Sequence, residues 1–223
     1  GGTTDKTGVS VVCGTGAGTG ARGPDGRIWH SSRWQDQTQG SVQMSLTALD
    51  AVYRSEIGIE PPTSLTPRFL SFFGVNSVEE ILYLSTSRLH RTTRDIGQLT
   101  PILLDEAQVG DGVARRVVQE HGRSLGNYAL VAARKVGLEG TPFRLVLSGG
   151  VFRHPSSLLP DTIIQQVQTS SPDVWPIRYP FEPIIGVLFA ALEAAQVAVD
   201  DALLGNLLPT LPSSELFVTV DID

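Results

Sequence analysis

Residues 8–27 read Gly8-Val9-Ser10-Val11-Val12-Cys13-Gly14-Thr15-Gly16-Ala17-Gly18-Thr19-Gly20-Ala21-Arg22-Gly23-Pro24-Asp25-Gly26-Arg27, and this stretch decides the fold. Val9 to Val12 form a short β-branched run, the composition of a strand. The run enters a glycine cluster from Gly14 to Arg27, which is expected to be a loop. Within it Pro24-Asp25-Gly26 is a turn signal, because Pro presets φ and Gly supplies the left-handed position. A return strand can begin over Arg27 to His30. A second junction of the same kind lies further on, where Phe143-Arg144-Leu145-Val146-Leu147 reads as a buried strand and runs into Ser148-Gly149-Gly150.

Between and beyond the two junctions the period changes from strand to helix. Leu46, Ala48, Leu49, Val52 and Tyr53 recur at helical spacing, predicting a helix from about Gly40 to Ser55 that ends near Glu60-Pro61-Pro62. Two shorter helices fit between Leu65 and His90, the second capped by Asn76 or Ser77 with Glu79 and Glu80 in its first turn, where the macrodipole favours carboxylates. Asp111 opens a long helix to about Val136, with Val113, Val117, Val118, Leu125, Ala129 and Ala132 on one face, and Gly137 or Gly140 stops it. A helix over about Ser157 to Thr169, a strand over Val174 to Tyr179 and an apolar helix from Pro183 to about Val199 follow. The tail beyond Leu204 carries Pro209, Pro212 and a possible strand over Glu215 to Val220. Strands alternating with long helices indicate an α/β domain.

The chain has 223 residues, 41% hydrophobic and 18% charged, enough for a substantial core and too apolar for disorder. Its 17 Lys+Arg against 23 Asp+Glu give a net charge of −6, so the basic surface on which nucleic-acid binders rely is missing, and nucleic acid is not expected as a partner. No apolar run approaches a transmembrane span, and membrane association is not expected. One cysteine, Cys13, can supply neither an internal disulfide nor a multi-thiolate metal site, and a cytoplasmic location fits it. His30, His90, His121 and His154 lie too far apart in sequence for metal-ligand spacing, so no protein-held metal is expected.

A glycine turn after a strand exposes backbone N–H groups that can converge on phosphate oxygens; the same glycines can equally serve only to make a tight turn. The Gly-Lys-Ser/Thr of a P-loop is absent. Gly16-x-Gly18-x-x-Ala21 matches a dinucleotide fingerprint on paper, yet that fingerprint opens a helix, whereas Gly23-Pro24-Asp25-Gly26 points to a hairpin. A β-hairpin phosphate loop is left.

Val9 to Gly18 with Pro24-Asp25-Gly26 resembles the second phosphate motif of the N-acetylglucosamine kinase and dehydratase-activator (BadF/BadG/BcrA/BcrD-type) ATPase family, within the actin-like, sugar kinase and heat-shock chaperone superfamily. Three more segments resemble that family in the same order. Glu106-Ala107 through Gly110-Asp111 to Ala114 is similar to its Ala-x-x-Gly-Asp-x-x-Ala helix entry, and Val146-Leu147-Ser148-Gly149-Gly150-Val151-Phe152 to its adenosine motif. Glu182-Pro183-Ile184-Ile185-Gly186-Val187-Leu188 is similar to its Pro-x-x-Gly-Ala helix. The resemblance covers about Gly8 to Gln196 and implies a ribonuclease-H-like α/β domain with a mixed sheet and helices on both faces. It further implies the C-terminal lobe of a two-lobed ATP- and Mg²⁺-dependent kinase, spanning 9–200 between a flexible start (1–8) and a tail (201–223). Gly14, Thr15 and Gly16 would then lie at the phosphates, and Ser148, Gly149 and Gly150 at the adenosine. Homodimers through this lobe are also implied.

The family's Gly-Trp-Gly and Gly-Asp-Glu-Gly-Ser stretch, whose acidic residues contact the sugar or organise its loop, corresponds to Ser31-Ser32-Arg33-Trp34-Gln35-Asp36-Gln37-Thr38-Gln39-Gly40-Ser41; with Gly40-Ser41 as the anchor, Thr38 and Gln39 stand where carboxylates are usual. An amide accepts a hydrogen bond but holds no charge and is no base. Trp34, Asp36 and Gln39 are the candidate acceptor-side residues, Trp34 either stacking on a ring or packing at the hinge. The family's first phosphate loop and catalytic aspartate have no counterpart before Gly8, so the general base is expected outside this chain, and the chain alone is expected to turn nothing over. Two functions follow from the resemblance: the ATP-binding half of a sugar or amino-sugar kinase, or an ATPase or regulatory module that has lost sugar binding and acts on a protein partner.

Overall fold

The computed structural model describes residues 7–32, 34, 39–86, 96–178 and 183–211. Five strands, β1 (Gly8–Cys13), β2 (Ala17–Arg22), β3 (Ile28–His30), β4 (Arg144–Ser148) and β5 (Trp175–Arg178), form one sheet in the order β3-β2-β1-β4-β5. β1, β2 and β3 pair antiparallel, while β4 pairs parallel with both β1 and β5, which makes the sheet mixed as expected.

Side chains of β1 alternate. Val9, Val11 and Cys13 are fully buried beneath the helices, and Ser10 and Val12 turn to the other face. The helical layer comprises α1 (Ser41–Glu56), α2 (Leu65–Phe73), α3 (Val78–Thr86), α4 (Leu99–Val109), α5 (Gly112–Lys135) and α6 (Leu158–Gln168). α5 is its centre, packing on β1, β2, α4 and α6 through Val113, Val117, Leu125, Ala129 and Ala132. A Cβ on Gly122 or Gly126 would stand 2.7 Å from Thr162 or 2.5 Å from Gln166, so these two glycines let α5 and α6 approach to backbone range. On the opposite face α7 (Pro183–Ala194) stands over the sheet, with Ile185 and Phe189 buried and Arg22 of β2 bridged to Glu193 at 3.0 Å. A cavity of about 740 Å³ remains between α7 and Ser10, Val12, Gly18 and Gly20. α8 (Asp201–Leu207) follows.

Several sequence expectations change here. The glycine cluster is not one loop. Ala17–Arg22 is a strand, with Ala17, Thr19 and Ala21 opposite Cys13, Val11 and Val9, so two hairpins replace one, and only Gly14–Gly16 and the stretch around Pro24-Asp25-Gly26 are turns. Helix α4 lies in a region without a predicted element; Pro101 falls in its first turn, where its missing N–H costs nothing. α7 stops at Ala194, short of Val199, and Gln196 beyond it has a left-handed φ of 62°. α8 occupies part of the predicted tail. The predicted cap of α3 is Ser77, whose Oγ accepts from the Glu80 amide at 3.3 Å, while Glu80 Oε2 reaches back one residue beyond the cap to accept from the Asn76 amide at 3.2 Å. Gly8, expected within a flexible start over 1–8, instead opens β1, because it pairs with Arg22 of β2; residues 1–6 of that start, Arg33, Asp36, Thr38, His90 and the strand expected over Glu215 to Val220 lie outside the described residues.

Candidate functional site

Parallel pairing of β1 and β4 puts Val12 opposite Ser148, so the two glycine turns emerge side by side at the carboxyl ends of neighbouring strands. Ligands of open α/β sheets bind in that position. Gly149 fixes the contact. Its φ of 109° and ψ of 163° lie in a region open almost only to glycine, and a Cβ there would stand 2.4 Å from the Cys13 carbonyl oxygen. The Ser148 side chain is buried beneath.

The hairpin tip is supported from below by helix α1. The amides of Ser41 and Val42 donate to the carbonyls of Gly14 (2.8 Å) and Thr15 (3.3 Å), and Gly14 N donates to Gly16 O at 2.8 Å. Gly40 packs so closely that a Cβ on it would stand 2.4 Å from the Gly16 carbonyl carbon. Helix α1 therefore spends its first free amides on the loop, orienting it. Thr15 is exposed at the tip, and the Thr15 and Gly16 amides donate to no other described residue. A Cβ on Gly14 would meet nothing within 4 Å, so the space beside the tip is open. Hydroxyl and amide donors around an open space, with no carboxylate among the described residues named here, fit a polyphosphate.

Of the candidate residues, Gly14, Thr15, Gly16, Ser148, Gly149 and Gly150 are thus brought together. Of the acceptor-side candidates, Trp34 and Gln39 are not brought together. Trp34 is 72% exposed and is not packed among the described residues. Asp36 lies outside the described residues. Gln39, with a left-handed φ of 35°, turns its side chain inward: its Nε2 donates to Ser124 Oγ of α5 at 2.5 Å, and its Oε1 is buried without a partner among the described residues. Arg22 is held in the ion pair with Glu193.

Cys13 ends β1 fully buried, and burial pushes its thiol up to about 12, which makes it a packing residue and no nucleophile. Asp111 caps α5, accepting from the Ala114 amide at 2.8 Å, the Ser64 amide at 2.8 Å and the Thr63 hydroxyl at 3.0 Å. Desolvation raises its pKa, but these hydrogen bonds together outweigh it and hold the carboxyl below its ordinary 3.8. This segment of the resemblance is therefore a helix cap. His121 is buried in α5, its Nδ1 3.2 Å from the Val117 carbonyl, and burial lowers its pKa against the pull of that carbonyl and of Glu120. Among the described residues no group of three or more His, Cys, Asp or Glu side chains is placed to hold a metal ion, and no helix is long and apolar enough to cross a membrane.

The residues that sequence reasoning missed are those beneath the loop. Gly40 was legible only as part of a motif, and Ser124, 85 residues from Gln39, carries no local signal.

No family model matches the chain. It is homologous to the N-acetyl-D-glucosamine kinase of Dictyostelium discoideum, with 23% identity over 191 residues, covering 84% of this chain and 60% of that kinase. Two solved structures, of proteins provisionally assigned as N-acetylglucosamine kinases, have a similar fold. The one from Chromobacterium violaceum superposes with a TM-score of 0.55 at 20% identity, over 76% of this chain and 55% of its own. The one from Porphyromonas gingivalis superposes with a TM-score of 0.57 at 15% identity, over 82% and 60%. The chain thus spans about 60% of the length of the curated relative described above, and its mixed-sheet α/β fold is similar to that of these two solved structures.

Proposed function

We propose that the chain is the C-terminal, nucleotide-binding lobe of a sugar or amino-sugar kinase of the N-acetylglucosamine kinase type, with ATP held between Gly14–Gly16 and Ser148–Gly150. The observation that carries this reading is the juxtaposition of the two turns, locked by Gly149 on the Cys13 carbonyl. The homology to a kinase of known substrate supports it.

In this reading the phosphates rest on the Thr15 and Gly16 amides and the Thr15 hydroxyl, which stabilise charge on a transferring phosphoryl group without covalent chemistry. In the same reading the nucleoside lies along the backbone of the Ser148–Gly150 turn, where the two glycines carry no side chain. Mg²⁺ would arrive with the ATP phosphates and neutralise their charge, since no acidic cluster among the described residues is arranged to hold it. An acidic chain of net charge −6 thereby binds a polyanion through fixed dipoles rather than side-chain cations. In this reading the sugar lies on the side of Trp34, Asp36 and Gln39, its general base is supplied by residues beyond this lobe, and the whole is a cytoplasmic, dimeric protein.

A regulatory or ATPase module is favoured by one observation. Gln39, at the position of a sugar-facing carboxylate, spends its amide on Ser124 instead. The discriminating experiment supplies the full-length gene product with ATP and a panel of hexoses and amino sugars in a coupled ADP-release assay. The kinase reading predicts sugar-dependent ADP release with phosphosugar formed. ATP hydrolysis with no phosphorylated sugar from any panel member would overturn it.

A further inference from the structure

The sheet face under α7 holds a cavity of about 740 Å³, within the range of about 300–1,000 Å³ typical of small-molecule sites. Val12 and Val146 of the central strands and Phe189 and Ala190 of α7 give it apolar walls. Its charged lining is basic although the chain is acidic: among the described residues Arg22 of β2 and Arg144 of β4 stand against the single carboxylate of Glu193, with His30 of β3 beside them. Arg22 meets Glu193 through Nη1 at 3.0 Å, one of the five N–H donors of its guanidinium.

The floor is bare backbone. Gly18 and Gly20 alternate with the buried Thr19 and Ala21, so both lie on the α7 side of β2, in line with Arg22. Neither has a left-handed φ. A Cβ would meet nothing within 4 Å at Gly18, and only the Trp29 carbonyl oxygen, at 3.8 Å, at Gly20. Glycine weakens the interior of a strand, and where neither φ nor packing calls for it, it marks a place where another group comes close to the backbone.

We propose that this cavity is a second small-molecule site, which takes a flat aromatic carboxylate with its ring on the backbone of Gly18 and Gly20 and its carboxylate on Arg22. A ring plane lies flush on a strand that carries no side chains, and a guanidinium fork matches a carboxylate. From Gly18 to Arg22 the strand runs about 13 Å, room for a bicyclic ring and its acid group. The cavity begins at Gly16 of the phosphate hairpin, but Arg22 lies about 20 Å farther along β2, so the two ligands would sit apart and the proposal does not depend on the nucleotide reading.

The test titrates 2-naphthoate, and its uncharged analogue 2-naphthamide, into the 223-residue chain by calorimetry, with and without saturating ADP. The variants are Gly20→Ala, Gly20→Val and Arg22→Gln, each with its thermal midpoint measured. Wild type should bind 2-naphthoate saturably and about tenfold more tightly than the amide, with ADP leaving that affinity unchanged. Gly20→Val, which fills the floor and favours a strand, should lose at least tenfold for both probes, with Gly20→Ala between. Arg22→Gln should lose the preference for the acid and keep the amide affinity. Wild type that binds no 2-naphthoate, or binding that Gly20→Val leaves intact, overturns the site. Equal affinity for acid and amide overturns the carboxylate assignment, and displacement of 2-naphthoate by ADP overturns the claim of a second site.

Discussion

Replacing Gly149 by Ala separates the contribution of the two-turn junction to the fold from its contribution to binding. Two costs add at this residue. With φ at 109° and ψ at 163° the backbone sits where a non-glycine residue is strained by about 1–3 kcal/mol. The new Cβ would also lie 2.4 Å from the Cys13 carbonyl oxygen and 3.0 Å from the Cys13 amide nitrogen, both backbone atoms of a central strand that cannot rotate away. Relieving such an overlap costs about another 1–3 kcal/mol, so Gly149→Ala is expected to lose about 2–6 kcal/mol in all. With a urea m-value of about 2 kcal/mol/M, the unfolding midpoint falls by about 1–3 M. Gly14→Ala is the control, since its Cβ meets nothing within 4 Å and its φ is not left-handed. Its stability should stay within about 0.5 kcal/mol of wild type, while its methyl group enters the crevice and weakens ADP binding. Equal midpoints for Gly149→Ala and wild type would refute the claim that Gly149 locks β4 to β1.

Gly126→Ala places a Cβ 2.5 Å from that of Gln166 and should cost about 1–3 kcal/mol in urea unfolding, whereas Gly112→Ala, with open space around it, should not. Asp111→Ala removes the α5 cap and the acceptor of the Ser64 amide, an expected loss of about 2 kcal/mol in thermal unfolding. Because the folded Asp111 carboxyl titrates below its unfolded value of 3.8, its stabilisation is present above that pH and is lost as pH falls through the folded value, so the variant should also show a shallower acid limb. His121 is held below its unfolded 6.5, so the unfolded chain takes up that proton first. Stability is full above pH 6.5 and declines below it, and the decline in urea midpoint between pH 7.5 and 5.5 should shrink in His121→Gln.

Local chemistry made the strands, the long helix and the turns legible. Val9–Val12 and Leu145–Leu147 are β-rich runs, Asp111 is a good cap, and Pro24-Asp25-Gly26 is a turn with its own mechanism. What stayed hidden depends on partners distant in sequence. Ala17–Arg22 has poor strand propensity and becomes a strand because β1 offers it a ladder and Ala17, Thr19 and Ala21 are small enough to lie in the core layer. Leu99–Val109 has a weakly periodic pattern opened by a proline and folds as a helix because Leu99, Leu103, Leu104 and Ala107 find α5, α1 and α2. At the site, the glycines mark the turns in the sequence, but their adjacency comes from a parallel pairing across more than a hundred residues, and the inward turn of Gln39 depends on Ser124.

The central claim, that nucleotide lies between Gly14–Gly16 and Ser148–Gly150, is tested most directly by titrating the isotopically labelled chain with ADP and following its backbone amide resonances. The account predicts saturable shifts concentrated at Thr15, Gly16, Gly149 and Gly150. Shifts confined to the cavity between α7 and the Gly18–Gly20 face, or no saturable shifts at all, would contradict it.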